Sequence, residues 1–128
     1  MLEFFTIFPF FASTNFYILS VAIGYLRSNN KRLFLDLGFL VPFATIISYM
    51  LKSIFNIARP DATLHLTDTL SFPSADAQIA TIFWGLIALN YKSSKLGLLG
   101  LLAAHLIALI SISIVYLGVH TAVDVAGG

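Results

Sequence analysis

Leu96–Tyr116 reads LGLLGLLAAHLIALISISIVY, without one Asp, Glu, Lys or Arg. The hydrocarbon core of a bilayer takes about 20 apolar residues as a helix, so the run is read as a membrane-spanning helix. Phe4–Leu26 is equally free of those charges, and Leu33–Leu51 holds only Asp36. Pro73–Leu89 is shorter, with Asp76 in its opening turn as its single charge. The expectation is an all-α, multi-pass bundle of four membrane helices.

Composition agrees. Hydrophobic residues make up 59% of the 128 residues and charged ones 10%, against about 25% charged in soluble domains. Period-two alternation is absent, which argues against a membrane barrel. A net charge of +1 is too small for a nucleic-acid-binding surface. With no cysteine, disulfides and thiolate-bound metals are excluded. Only Glu3 precedes the first apolar run, which lacks the basic start and cleavage site of a secretory signal. It is read as a retained helix, within a single membrane-embedded domain over residues 1–128.

The charges set an orientation. Arg27–Arg32 (RSNNKR) and Asn90–Lys95 (NYKSSK) carry five of the seven Lys and Arg residues, in alternate links. By the positive-inside rule these links are cytoplasmic. The two remaining cations, Lys52 and Arg59, then fall at the outer face. Three stretches meet there: Lys52–Pro60 (KSIFNIARP), Phe72–Asp76 (FPSAD) and Tyr116–Asp124 (YLGVHTAVD).

Each stretch has a chemical logic and a plainer alternative. Lys52 and Arg59 are two helical turns apart, so they can share a face and converge on an anion; two such cations can also simply reach toward lipid head groups. Pro73 and Ser74 suit the first positions of a helix, whose free N–H groups attract anions. They also suit a cap with no further role. If helical, His120 and Asp124 lie four apart, so the carboxylate can hold one ring nitrogen and free the other as a nucleophile; such pairs also occur as surface contacts. His105 is expected inside the bundle as a neutral, hydrogen-bonded group. His65 with Asp61 and Asp68 has no metal-specific spacing, and no metal or other cofactor is expected.

Lys52-x6-Arg59-Pro60, Pro73-Ser74 and His120-x3-Asp124 resemble, in order and spacing, the signature of the type 2 phosphatidic acid phosphatase/haloperoxidase superfamily. The resemblance covers roughly residues 50–128 and implies a metal-independent membrane phosphohydrolase. It assigns the phosphohistidine-forming nucleophile to His120 and its orienting carboxylate to Asp124. Phosphate binding falls to Lys52, Arg59 and Ser74, with Ala75 beside them. The implied substrates are lipid phosphates or pyrophosphates, met at the extracytoplasmic face of a plasma or inner membrane.

The chain departs from the signature twice. Pro73-Ser74-Ala75-Asp76 stands where the family has P-S-G-H, so Asp76 replaces the histidine that protonates the leaving group. Ser113-Ile114 stands where it has S-R, so a phosphate-binding arginine is lost. Asp76 can substitute only if protonated, with its pKa raised above about 3.9. The family's last motif opens a further helix, so the domain reads as C-terminally incomplete, and an oligomeric partner could supply that helix. The alternatives are a catalytically impaired pseudophosphatase or degenerate fragment and, more remotely, a small membrane scaffold or transporter.

Overall fold

The computed structural model describes residues 2–59, 70–90 and 96–128. It is all-helical: α1 (Leu2–Ile7), a 3-10 turn (Phe8–Ala12), α2 (Thr14–Arg27), α3 (Lys31–Phe55), α4 (Ala75–Asn90), α5 (Leu96–Tyr116) and α6 (Ala122–Gly127). The links at 60–69 and 91–95 lie outside the described residues, and His65, Asp61 and Asp68 with them.

Hydropathy reads Phe4–Leu26 as one span, but the structure breaks it. Pro9 sits in the 3-10 turn, and the Ser13 side chain accepts from Phe16 N to start α2 afresh. The two pieces meet at 55°. Helix α3 starts on Asn30, whose side chain accepts from Leu33 N, and continues through Pro42 to Phe55. Asn56 ends it in the left-handed conformation at φ 49°, which Asn tolerates better than most residues.

Helices α3 and α5 are long and apolar enough to cross a membrane, and the bent pair makes a third span if counted as one. The 16 residues of α4 rise about 24 Å, short of the ~30 Å hydrocarbon core. It packs between α3 and α5, and α2 lies against α3 and reaches α4 through Phe16 and Tyr17. Buried Ala77, Ala80 and Ala88 let its neighbours approach closely. Tyr17, Leu33, Leu37, Ile79 and Phe83 form the main core, and Ala12, Ala80 and Ile110 a second. Trp84 packs here too, its ring stacked on Phe16. Many large apolar side chains, such as Leu26, Phe39 and Ile54, face outward, as they do where lipid is the solvent.

The basic link 27–31 and the end of α4 share one end of the bundle, where Ser28, Asn29, Asn30, Ile87 and Asn90 line a common cavity. The ends of α3 and α5 and the start of α4 lie at the other. His105 is exposed, not interior, and its Nδ1 lies 2.7 Å from the Leu101 carbonyl of its own helix. A ring nitrogen satisfied within its own turn needs no partner across the bundle.

Candidate active site

Four chain segments build the site. Beyond Asn56 the chain is extended, and Ala58 pairs antiparallel with Leu70 while Ser71 N donates to Ile57 O at 2.7 Å. The Phe55 and Phe72 rings meet edge-on, 4.9 Å apart. Arg59 therefore reaches the site from this extended segment and does not share a helical face with Lys52. Asn56 is the reason, because it terminates α3 between them. Lys52 is buried, and its Nζ donates to Leu70 O at 2.9 Å.

Ser74 is the cap of α4: its Oγ accepts from Ala77 N at 3.3 Å and its carbonyl from Gln78 N. Pro73 thus precedes the helix instead of opening it, joined to Phe72 by a cis peptide. Ala75 and Asp76, both half-buried, form the first turn.

Helix α5 stops at Gly118, whose φ of +72° costs glycine little and other residues more. Gly118 N donates to Val115 O and Val119 N to Ile114 O, the paired closure of a glycine-terminated helix. His120 N also donates to Ile114 O at 3.2 Å. Ile114 is thus a buried core residue whose carbonyl anchors the backbone of His120. His120 itself precedes α6. Thr121 is the cap, and Asp124 closes a capping box with it: Asp124 N donates to Thr121 Oγ1, and Thr121 N to Asp124 Oδ2 at 2.6 Å. The His–Asp pair therefore spans a helix start and is not a pair of helical neighbours. The box turns the carboxylate back toward the residue before the cap.

His120 and Asp124 are both about 2% exposed, so the pair is largely shielded from water. His120 Nδ1 lies 3.7 Å from Asp124 Oδ2. On the other side of the ring, Arg59 Nη1 lies 3.3 Å from Nε2 and donates to Val119 O at 2.6 Å. A guanidinium has no acceptor, so Nε2 faces it with its lone pair and the ring proton belongs on Nδ1, toward the carboxylate. Burial pushes the Asp124 carboxyl up, but hydrogen bonds from Ser71 and Thr121, with His120 alongside, outweigh it and hold the group below its ordinary value.

The Ser71 hydroxyl donates to Asp124 Oδ2 across 53 residues of chain, and Ser74 N donates to Asp124 O at 2.9 Å. These bonds join the loop before α4 to α6. Gly127 and Gly128 permit the fit: an added Cβ would fall 2.3 Å from the Phe72 ring or 2.2 Å from Ser74 O. Lys52, Arg59, Ser74, His120 and Asp124 are thus linked through one continuous network. Ala75 and Asp76 stand beside it on α4.

The roles of Ser71 and Thr121 are additions to the sequence reading. Thr121-x-x-Asp124 carries the pattern of a capping box, whereas nothing local marks Ser71. The imidazole thus lies between a carboxylate near one nitrogen and a guanidinium at the other.

An all-helical membrane bundle with a His–Asp pair and a clustered Lys and Arg at one end defines the class. The family description "PAP2 superfamily" matches residues 33–128, and the chain belongs to that superfamily. A crystal structure of a transmembrane PAP2-type phosphatidylglycerolphosphate phosphatase from Bacillus subtilis is similar at a TM-score of 0.85 and 24% identity. The match covers 98% of this chain and 68% of that one, and it shows the fold. The comparison with curated proteins finds no match. The protein is an integral membrane protein of the PAP2 fold.

Proposed function

We propose that the protein hydrolyses lipid phosphates or pyrophosphates at the extracytoplasmic face through a phosphohistidine on His120. The observation that carries the reading is the placement of His120 between the Asp124 carboxylate at Nδ1 and the Arg59 guanidinium at Nε2. Arg59 and Lys52 would bind the phosphate oxygens, with Ser74 and the N–H of Ala75 at the start of α4. The basic link Arg27–Arg32, at the opposite end of the bundle, supports that face by the positive-inside rule.

In the first step the Nε2 lone pair attacks phosphorus and the bond to the leaving oxygen breaks. Asp76, in its acid form, gives that oxygen its proton. Asp124 stays ionised and holds Nδ1–H as positive charge grows on the ring. Water then attacks phosphorus, the P–N bond breaks, and the water proton returns to the Asp76 carboxylate. At 3.7 Å the His–Asp contact is longer than a hydrogen bond, and such contacts tighten when substrate binds.

The test is phosphate release from a lipid phosphate or pyrophosphate by protein in liposomes. His120→Ala should abolish it. Release that survives this substitution would sink the assignment.

A second reading, a pseudophosphatase, draws on Asp76 and on Ile114, which is buried in the core. Loss of a general acid costs about 10²–10⁴ in rate. A pyrophosphate would suffer least, because its leaving group needs less protonation than an alcohol. Turnover of no lipid phosphate by the folded protein would favour this reading.

A further inference from the structure

Tyr17 lies in the first turn of α2 and is 2% exposed, yet its Oη has no hydrogen-bond partner among the described residues. Buried hydroxyls are ordinarily paired. The ring packs on α4: Tyr17 shares a core cluster with Ile79 and Phe83, and its centroid lies 4.7 Å from that of Phe83. Asp76, Ile79 and Phe83 follow one another at spacings of three and four, along one face of α4. Tyr17 therefore sits against the face that carries Asp76.

Its direction agrees with its position. The ends of α2 and α4 line one cavity, through Ser28 and Asn90, so the two helices run the same way and start at the same end of the bundle. The Cα–Cβ bond of a helical residue tilts toward the N-terminus of its helix. The Tyr17 side chain thus leans toward the start of α4, and Asp76 lies within electrostatic reach of its phenol.

As the acid of the function proposed above, Asp76 must aim its proton at the leaving oxygen and then carry a negative charge where it is half-buried. A phenol keeps its own proton at neutral pH. By donating it to one carboxyl oxygen, it leaves the other, protonated oxygen to face the substrate. As the acid proton departs, the same bond meets the charge growing on the carboxylate and strengthens. We propose that Tyr17 is a positioning residue for Asp76, its hydroxyl donating to the carboxyl throughout the reaction. The bond closes when substrate binds, as catalytic hydrogen bonds tighten in the complex. The inference rests on the proposed function and adds a residue to that site.

The full chain in nanodiscs tests it, with phosphatidate and diacylglycerol pyrophosphate as the two substrates. They share their hydrocarbon and differ in the leaving group, an alcohol oxygen that needs the proton and a phosphate that needs it less. Tyr17→Phe keeps the ring in the core. It should lower the ratio of kcat on phosphatidate to kcat on the pyrophosphate about tenfold, with each KM near its wild-type value. In an Asp76→Asn background the same change should have no further effect. An unchanged ratio, or an equal loss in both backgrounds, would overturn the proposal. Infrared spectroscopy reads the contact without turnover: the carboxyl stretch at acid pH that Asp76→Asn removes should rise in frequency in Tyr17→Phe, and an unmoved band would overturn the proposal too. If the wild type cleaves neither lipid, the proposed function fails, and the carboxyl band still decides whether Tyr17 holds Asp76.

Discussion

Removing the Ser71 hydroxyl tests whether the loop before α4 sets up the His–Asp pair. Asp124 Oδ2 takes two hydrogen bonds, from Ser71 Oγ and Thr121 N, and faces His120 Nδ1. The carboxylate is buried, so Ser71→Ala leaves a charge with one donor fewer and little water to replace it. A hydrogen bond to a charged group contributes about 1.5–3 kcal/mol, which is roughly 10–100-fold if it is expressed in the transition state. Ser71→Ala should therefore lower kcat/KM by about that factor, while Ser71→Thr keeps most of the activity.

The pH profile gives the second readout. The folded-state pKa of Asp124 is depressed, so its stabilisation is complete above the ordinary value and is lost as pH falls through the folded one. Without the Ser71 donor the folded value rises, and both the acid limb of activity and the acid loss of stability should move to higher pH. Phosphate release measured across the acid range checks both effects. Activity within twofold of wild type with an unmoved acid limb would refute the reasoning.

Other substitutions probe separate joints. Gly118→Ala places a Cβ at φ +72° and should cost about 1–2 kcal/mol, seen as a lower thermal midpoint with reduced turnover, because Gly118 positions the backbone of His120. Gly128→Ala would put a methyl 2.2 Å from Ser74 O. It should destabilise by about 1–3 kcal/mol and lower the melting temperature by a few degrees. Asp76→His should raise phosphatase activity at least tenfold if the acid is what limits turnover, whereas Asp76→Asn should lower it; the two rates on a lipid monophosphate decide.

The sequence shows some of this directly. Helix α5 follows from charge-free apolar length and α3 from an apolar run interrupted only by Asp36, and the basic link Arg27–Arg32 lies at the end opposite the site. The break at Ser13 is harder to see. Hydropathy over Phe4–Leu26 is continuous, although Ser13-Thr14-Asn15 is a capping signal and Pro9 a helix interrupter. Lys52 and Arg59 read as helical neighbours because spacing alone does not reveal that Asn56 turns left-handed. His120 and Asp124 read as an i,i+4 pair for a similar reason, whereas the capping box supplies the actual geometry. Ser71 carries no local signal at all: its bond to Asp124 exists only after the loop and α6 fold against each other. Local chemistry writes the helices and their caps, while the site depends on tertiary closure between segments far apart in sequence.

The most direct measurement is covalent trapping. A lipid phosphate with radiolabelled phosphorus, mixed with the protein and quenched in base within one turnover, should leave an acid-labile, base-stable label on the peptide containing His120. His120→Ala should carry none and release no phosphate. Turnover with no label on that peptide, or undiminished turnover in His120→Ala, would contradict the account.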